Sequence, residues 1–89
     1  MASQLDDRQL DGLTDATVEL LQTLIRNRCV NDGTEASGEE VRNADVLQQV
    51  IAGPGVDVER YEAAPARVSI VGRIAGSDPG APSLCLMGH

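Results

Sequence analysis

The chain has 89 residues, enough for one small domain, and its 42% hydrophobic content is ordinary for a folded protein and too high for a disordered one. Its formal charge is −7, from 14 acidic residues against 7 arginines and no lysine, which argues against nucleic-acid and anionic-membrane partners. There is no signal-peptide pattern, no apolar stretch near the ~20 residues of a membrane span and no cysteine framework, so we expect a cytoplasmic protein.

Residues 1–12 are polar and acidic, and they are predicted to form an N-terminal segment without stable structure. A first helix is predicted from about Thr14 to Arg28, with Thr14 or Asp15 as its cap. Its apolar residues recur at three-, four- and seven-residue steps and are Leu13, Leu20, Leu21, Leu24 and Ile25. This pattern indicates an amphipathic helix that packs on a sheet.

A second helix is predicted after a loop at residues 29–36, where Asn31-Asp32-Gly33 has strong turn chemistry. The sequence Ser37-Gly-Glu-Glu40 has the pattern of a capping box, in which the Ser37 hydroxyl and the Glu40 carboxylate bind backbone N–H groups at the helix start. The helix is then expected to run to about Ala52, because Gly53-Pro54-Gly55 stops it.

Three strands are predicted beyond Gly55. Residues 56–60 alternate between apolar and charged side chains, residues 67–75 place Val68, Ile70, Gly72 and Ile74 on one face, and residues 83–87 are almost continuously apolar. The third strand should be buried on both faces, but two helices cover only one face of a sheet. We therefore expect an α/β protein in which residues 13–89 are the incomplete opening part of a larger domain.

The segment Leu84-Cys-Leu-Met-Gly-His89 resembles the strand that carries the first active-site motif of the zinc-dependent amidohydrolases and exopeptidases. This family includes aminoacylase, acetylornithine deacetylase, succinyl-diaminopimelate desuccinylase and carboxypeptidase G. In it an apolar strand ends in Gly-His, one variable residue and Asp, and this sequence reaches only the histidine. Leu24-Ile25-Arg26, the Ser37–Glu40 segment, residues 65–73 and the turn at 76–82 are similar to the family's preceding elements, so the resemblance covers about residues 13–89.

The resemblance implies that residues 13–89 open a phosphorylase/hydrolase-like zinc exopeptidase catalytic domain, truncated at the first metal motif. His89 would be a ligand of one of two zinc ions, with cobalt as the alternative metal. A metal-activated water would cleave an amide or peptide bond in a small N-acyl amino acid or peptide substrate. A smaller inserted domain often mediates dimerisation in the family, which implies a homodimer for the intact enzyme. Because the general base and the other ligands come later in the family, the 89-residue chain is expected to be inactive.

Several other polar residues have structural interpretations. Glu39 and Glu40 precede the histidine motif, whereas the catalytic Glu-Glu pair of the family follows it, so both are interpreted as carboxylates at a helix start. Arg67 and Arg73 are interpreted as exposed strand residues. Asp32 is interpreted as a turn residue, since its loop lacks the repeated carboxylates of a calcium site.

The alternative to a hydrolase fragment is a small α+β binding or interaction module without catalysis. Such a module should be soluble, monomeric and cooperatively folded as an 89-residue chain, whereas a fragment should be molten or aggregated. A Rossmann-type nucleotide binder is a weaker alternative, because Gly72-Arg-Ile-Ala-Gly76 lacks a third glycine and a following helix.

Overall fold

The computed structural model describes residues 4–89, which form two helices followed by a β-hairpin. Helix α1 spans Asp7–Arg26, helix α2 spans Val41–Ile51, and the antiparallel strands β1 and β2 span Val56–Ala64 and Arg67–Ile74. The predicted order of two helices followed by strands is confirmed, in an α+β arrangement with a two-stranded sheet.

The predicted third strand is not confirmed, because residues 83–87 have neither helix nor strand structure. A strand forms only where its backbone N–H and C=O groups find partners on a neighbouring strand. Within residues 4–89, β1 and β2 pair with each other alone, and neither edge of the hairpin pairs with this segment. The apolar run is consequently exposed and not buried on two faces as predicted.

Helix α1 begins at Asp7 and not at Thr14, since a capping box lies further upstream than predicted. The Asp6 carboxylate accepts a hydrogen bond from the backbone N–H of Gln9 at 2.8 Å, and the Gln9 side-chain oxygen accepts one from the N–H of Asp6 at 2.9 Å. This reciprocal pair satisfies N–H groups that otherwise lack partners at a helix start. Residues 7–12 are therefore helical, and the prediction of an unstructured segment is wrong for them; residues 1–3 lie outside the described part of the chain.

Helix α2 begins without the predicted capping box. The Ser37 hydroxyl donates to the carbonyl oxygen of Thr34 at 2.7 Å, so it serves the preceding loop. Glu40 occupies the N-cap position and makes no side-chain capping bond. The N–H of Val41 instead donates at 3.0 Å to the carbonyl oxygen of Ala66, in the turn of the hairpin.

The hairpin turn consists of Pro65 and Ala66. At the other, open end of the hairpin, Val56 lies opposite Ile74. Proline suits the first turn position because its ring fixes φ near −65°. Ala66 adopts a left-handed φ of 64°, which an L-residue with a side chain rarely takes. Strand β1 continues up to this turn, beyond the predicted end at residue 60.

The core lies between α2 and β2. Ala44 and Val68 are the only buried hydrophobic residues in the range 4–89. Gly72 allows a close approach of the helix, because a Cβ atom at this position would lie 3.1 Å from the Cδ1 of Ile51. Ile74, predicted on the same face, is exposed at the open end of the hairpin.

Helix α1 has no buried residue, and the molecule is open as a result. The radius of gyration is 15.9 Å, against about 12 Å for a compact chain of this length. Two hydrogen bonds join the end of α1 to α2: the Asn27 side chain donates to the Asn43 side chain at 2.8 Å, and Asn43 donates to the carbonyl oxygen of Leu24 at 3.4 Å. None of the helices in residues 4–89 has the length and apolar character needed to cross a bilayer.

Candidate functional site

The predicted metal ligand His89 lies at the end of a segment that follows β2 and has no helix or strand structure from residue 75 onward. Its imidazole is exposed, as are the apolar side chains that precede it. The exposed fractions are 85% for Leu84, 87% for Leu86 and 92% for Met87. The structure therefore places the histidine after the predicted apolar run without a strand to orient it.

His89 is not joined by a set of further metal ligands among residues 4–89. In this part of the chain no group of three or more His, Cys, Asp or Glu side chains is arranged to hold a metal ion. A catalytic zinc usually takes three protein ligands and keeps one position for water. One imidazole does not fit that requirement, so no catalytic step can be assigned to the described residues alone.

An ion pair between Arg67 and Glu40 joins the start of β2 to the start of α2. The Arg67 Nε lies 2.5 Å from Glu40 Oε2, and the two side chains are only 20% and 32% exposed. The same guanidinium donates to the carbonyl oxygens of Thr34 and Glu35 at 3.1 and 3.4 Å. The interpretation of Arg67 as an exposed strand residue is therefore wrong, because it ties the loop before α2 to the hairpin.

This pairing keeps Glu40 ionised. The hydrogen bond from Arg67 lowers the pKa of the Glu40 carboxyl, and so does the backbone N–H of Glu40. Partial burial raises this pKa, and the charges of Arg67 and His89 lower it further. Since its carboxylate is bound by the Arg67 guanidinium, we interpret Glu40 as a structural anion.

The loop at residues 31–37 is organised by its own side chains. Asp32 Oδ1 accepts from the N–H and the hydroxyl of Thr34 at 2.9 and 2.6 Å, and Asn31 Oδ1 accepts from the N–H of Gly33 at 2.8 Å. The hydrogen bonds from Thr34, followed by that from Ser37, lower the pKa of Asp32. Its carboxylate is committed to the turn, in agreement with the interpretation of Asp32 as a turn residue.

A second polar cluster lies on the hairpin face that carries odd-numbered residues. Arg73 donates to Glu59 Oε1 at 2.8 Å, and the Tyr61 hydroxyl donates to the other oxygen of the same carboxylate. The hydrogen bond to Glu59, and then its charge, raise the pKa of the Tyr61 phenol, which therefore stays protonated near neutral pH. Sequence reasoning missed this cluster, although residues two apart on a strand share a face and the hairpin register makes Arg73 a diagonal neighbour of Glu59.

Comparison with protein-family models, with curated proteins and with solved structures gives no match to the chain. The resemblance to the zinc-dependent amidohydrolases therefore rests on the motif residues in the sequence, and it stays a prediction.

Proposed function

We propose that the chain is the opening part of the catalytic domain of a cytoplasmic zinc-dependent amidohydrolase that acts on a small N-acyl amino acid or peptide. The observation that carries the proposal is the exposed apolar run before Gly88-His89, with Leu84, Leu86 and Met87 almost fully in water. Exposing such side chains is unfavourable by about 1.5–3 kcal/mol each. Flanking strands of a larger parallel sheet would remove this cost, because such strands are buried on both faces.

In the proposed enzyme, residues 83–87 form the third strand and His89 follows at its carboxyl end as one ligand of a pair of zinc or cobalt ions. The other ligands and the general base come from segments that correspond to later parts of the family. In this proposal the 89-residue chain alone is inactive, because the general base and the other ligands lie in those later segments. Homodimerisation through a later inserted domain belongs to the same proposal.

The test uses the full product of the gene that encodes this sequence. We expect the purified protein to contain zinc and to hydrolyse at least one member of a panel of N-acyl amino acids and dipeptides. His89→Ala should lose activity and bound metal, whereas Asp78→Asn, a change in the exposed turn, should retain both. A metal-free inactive product, or full activity of His89→Ala, would overturn the proposal.

A small α+β interaction module is a second candidate, favoured by the network around Arg67. This guanidinium binds the Glu40 carboxylate and two loop carbonyl groups, so it joins the loop, α2 and the hairpin. The two candidates differ in the behaviour of the 89-residue chain. A module should unfold in one sharp calorimetric transition and give dispersed amide NMR signals, whereas an incomplete domain should show neither.

A further inference from the structure

The bond between Asp32 and Gly33 has a sequence in which aspartate readily rearranges to isoaspartate. In this reaction the backbone nitrogen of the following residue attacks the side-chain carboxyl carbon, a C–N bond forms, and water leaves to give a succinimide ring. Water then opens the ring on either side, and opening at the original peptide carbonyl routes the backbone through the side chain. A following glycine speeds the attack, because it has no side chain to hinder its nitrogen. The chain contains two such sites, Asp32-Gly33 and Asp11-Gly12.

The two sites differ in the structure that surrounds the reacting atoms. Asp11 and Gly12 lie within α1, where each interior backbone N–H is bonded to the carbonyl oxygen four residues earlier. Asp32 and Gly33 lie in the loop before α2, outside any helix or strand, and both are exposed. A Cβ atom added at Gly33 would meet no atom of residues 4–89 within 4 Å, apart from its chain neighbours. Neither packing nor regular backbone structure therefore shields the loop site.

Two side chains of the loop hold the reacting atoms instead. The N–H of Gly33, whose nitrogen would attack, donates to Asn31 Oδ1 at 2.8 Å. The Asp32 carboxylate, whose carbon would be attacked, accepts from the N–H and the hydroxyl of Thr34 at 2.9 and 2.6 Å. The hydroxyl bond is the largest of the causes that lower the pKa of Asp32. A carboxylate resists the attack, because its negative charge repels the nucleophile and it has no hydroxyl group to leave as water.

We propose that Asp32-Gly33 is a latent site of isoaspartate formation, which the side chains of Asn31 and Thr34 protect by holding the attacking nitrogen and the carboxylate. The rearrangement is intramolecular and needs no reagent other than the water that reopens the ring. Attack requires that the bonds at both reacting atoms break first. This inference does not rest on the hydrolase proposal.

The modification would act on the contacts between this loop and the hairpin. Isoaspartate keeps the negative charge of residue 32 but lengthens the backbone by a methylene group. The added length displaces the next residues, Thr34 and Glu35, whose carbonyl oxygens accept from Arg67 at 3.1 and 3.4 Å. Formation of isoaspartate therefore loosens the link between the loop and β2.

Peptide mapping of the full gene product, incubated at neutral pH, follows both sites in one sample. Trypsin cuts after arginine and so releases Asp11 in residues 9–26 and Asp32 in residues 29–42. Electron-transfer fragmentation distinguishes isoaspartate from aspartate in each peptide. We expect Asp32 in the protein to rearrange at least about tenfold more slowly than in a synthetic peptide of residues 29–42. Equal rates, or a peptide that does not rearrange, would overturn the proposal.

Two variants remove the two protecting groups separately. Thr34→Val deletes the hydroxyl bond and moves the pKa of Asp32 back towards its usual 3.8, so more of the neutral acid is present at the same pH. Asn31→Ala frees the N–H of Gly33. Each variant should speed isoaspartate formation at residue 32 by about threefold or more. An unchanged rate in either variant contradicts the role given to that side chain and overturns the proposal.

Two controls separate the loss of these bonds from general loosening. Glu35→Gln changes an exposed residue of the same loop and removes neither bond, so it should leave the rate at Asp32 unchanged. The rate at Asp11 should be the same in every variant. An increase at Asp11 as large as that at Asp32 would overturn the proposal, because unfolding of the chain and not the loss of one bond would then set the rate.

Discussion

The capping box at Asp6 gives a quantitative prediction about where α1 begins. Asp6→Ala removes the carboxylate that accepts a hydrogen bond from the Gln9 N–H. The reciprocal bond, from the backbone N–H of residue 6 to the Gln9 side chain, then remains without its partner in the capping box. Loss of an acidic N-cap costs about 1 kcal/mol, which is about fivefold in the equilibrium between the closed and frayed first turn. Because α1 has no buried residue, this start depends on the cap and not on tertiary packing.

Amide hydrogen exchange measured by NMR tests this prediction residue by residue. The Leu10 N–H donates to the Asp6 carbonyl oxygen at 3.0 Å, so its exchange in Asp6→Ala should be about fivefold faster than in the wild type. Amides near Arg26 should be unchanged. Asp11→Ala is the control, because it removes the same charge without removing a cap. Equal Leu10 exchange in the two variants, or unprotected Leu10 in the wild type, would refute the assigned helix start.

Two further predictions concern the packing of α2 on the hairpin. In urea titrations of the full gene product, Val68→Ala, which deletes two methyl groups at a buried position, should lower the free energy of unfolding by about 2 kcal/mol. Ile74→Ala, at an exposed position, should change it by less than about 0.5 kcal/mol. Glu40 has a folded pKa below its usual 4.5, so its contribution is present above that pH and is lost as the pH falls through the lowered value. Urea midpoints from about pH 5 to about pH 3 should therefore fall less steeply in Glu40→Gln than in the wild type; equal slopes would contradict the role of Arg67.

The helices and strands that could be predicted were those whose positions are set by neighbouring residues in the sequence. Alternating side chains are a short-range feature, and both strands of the hairpin were predicted from them. The start of α1 was misplaced because two capping patterns compete in the sequence, one at Asp6 with Gln9 and one at Thr14. The structure uses the first. In it, Thr14 is inside the helix, and its hydroxyl donates to the carbonyl oxygen of Leu10 at 2.9 Å.

The features that sequence patterns could not supply depend on distant residues. Ser37 has the pattern of a cap, but its hydroxyl is used by the Thr34 carbonyl of the preceding loop. The Glu40–Arg67 pair joins residues 27 positions apart, so no local pattern reports it. The strand predicted at residues 83–87 also depends on distant residues. An apolar run indicates a tendency to form a strand, but it does not supply the neighbouring strands that a strand needs.

The bond from the Val41 N–H to the Ala66 carbonyl oxygen has a consequence for the order of folding events. An 11-residue helix is too short to persist alone in water, and the first turn is its most costly step. The first turn of α2 is closed by its own bond from the Ala44 N–H to the Glu40 carbonyl oxygen, and the Val41 N–H finds its protein partner only when the hairpin is formed. The cap of α1 is local, so the start of α2 depends on the hairpin in a way that the start of α1 does not.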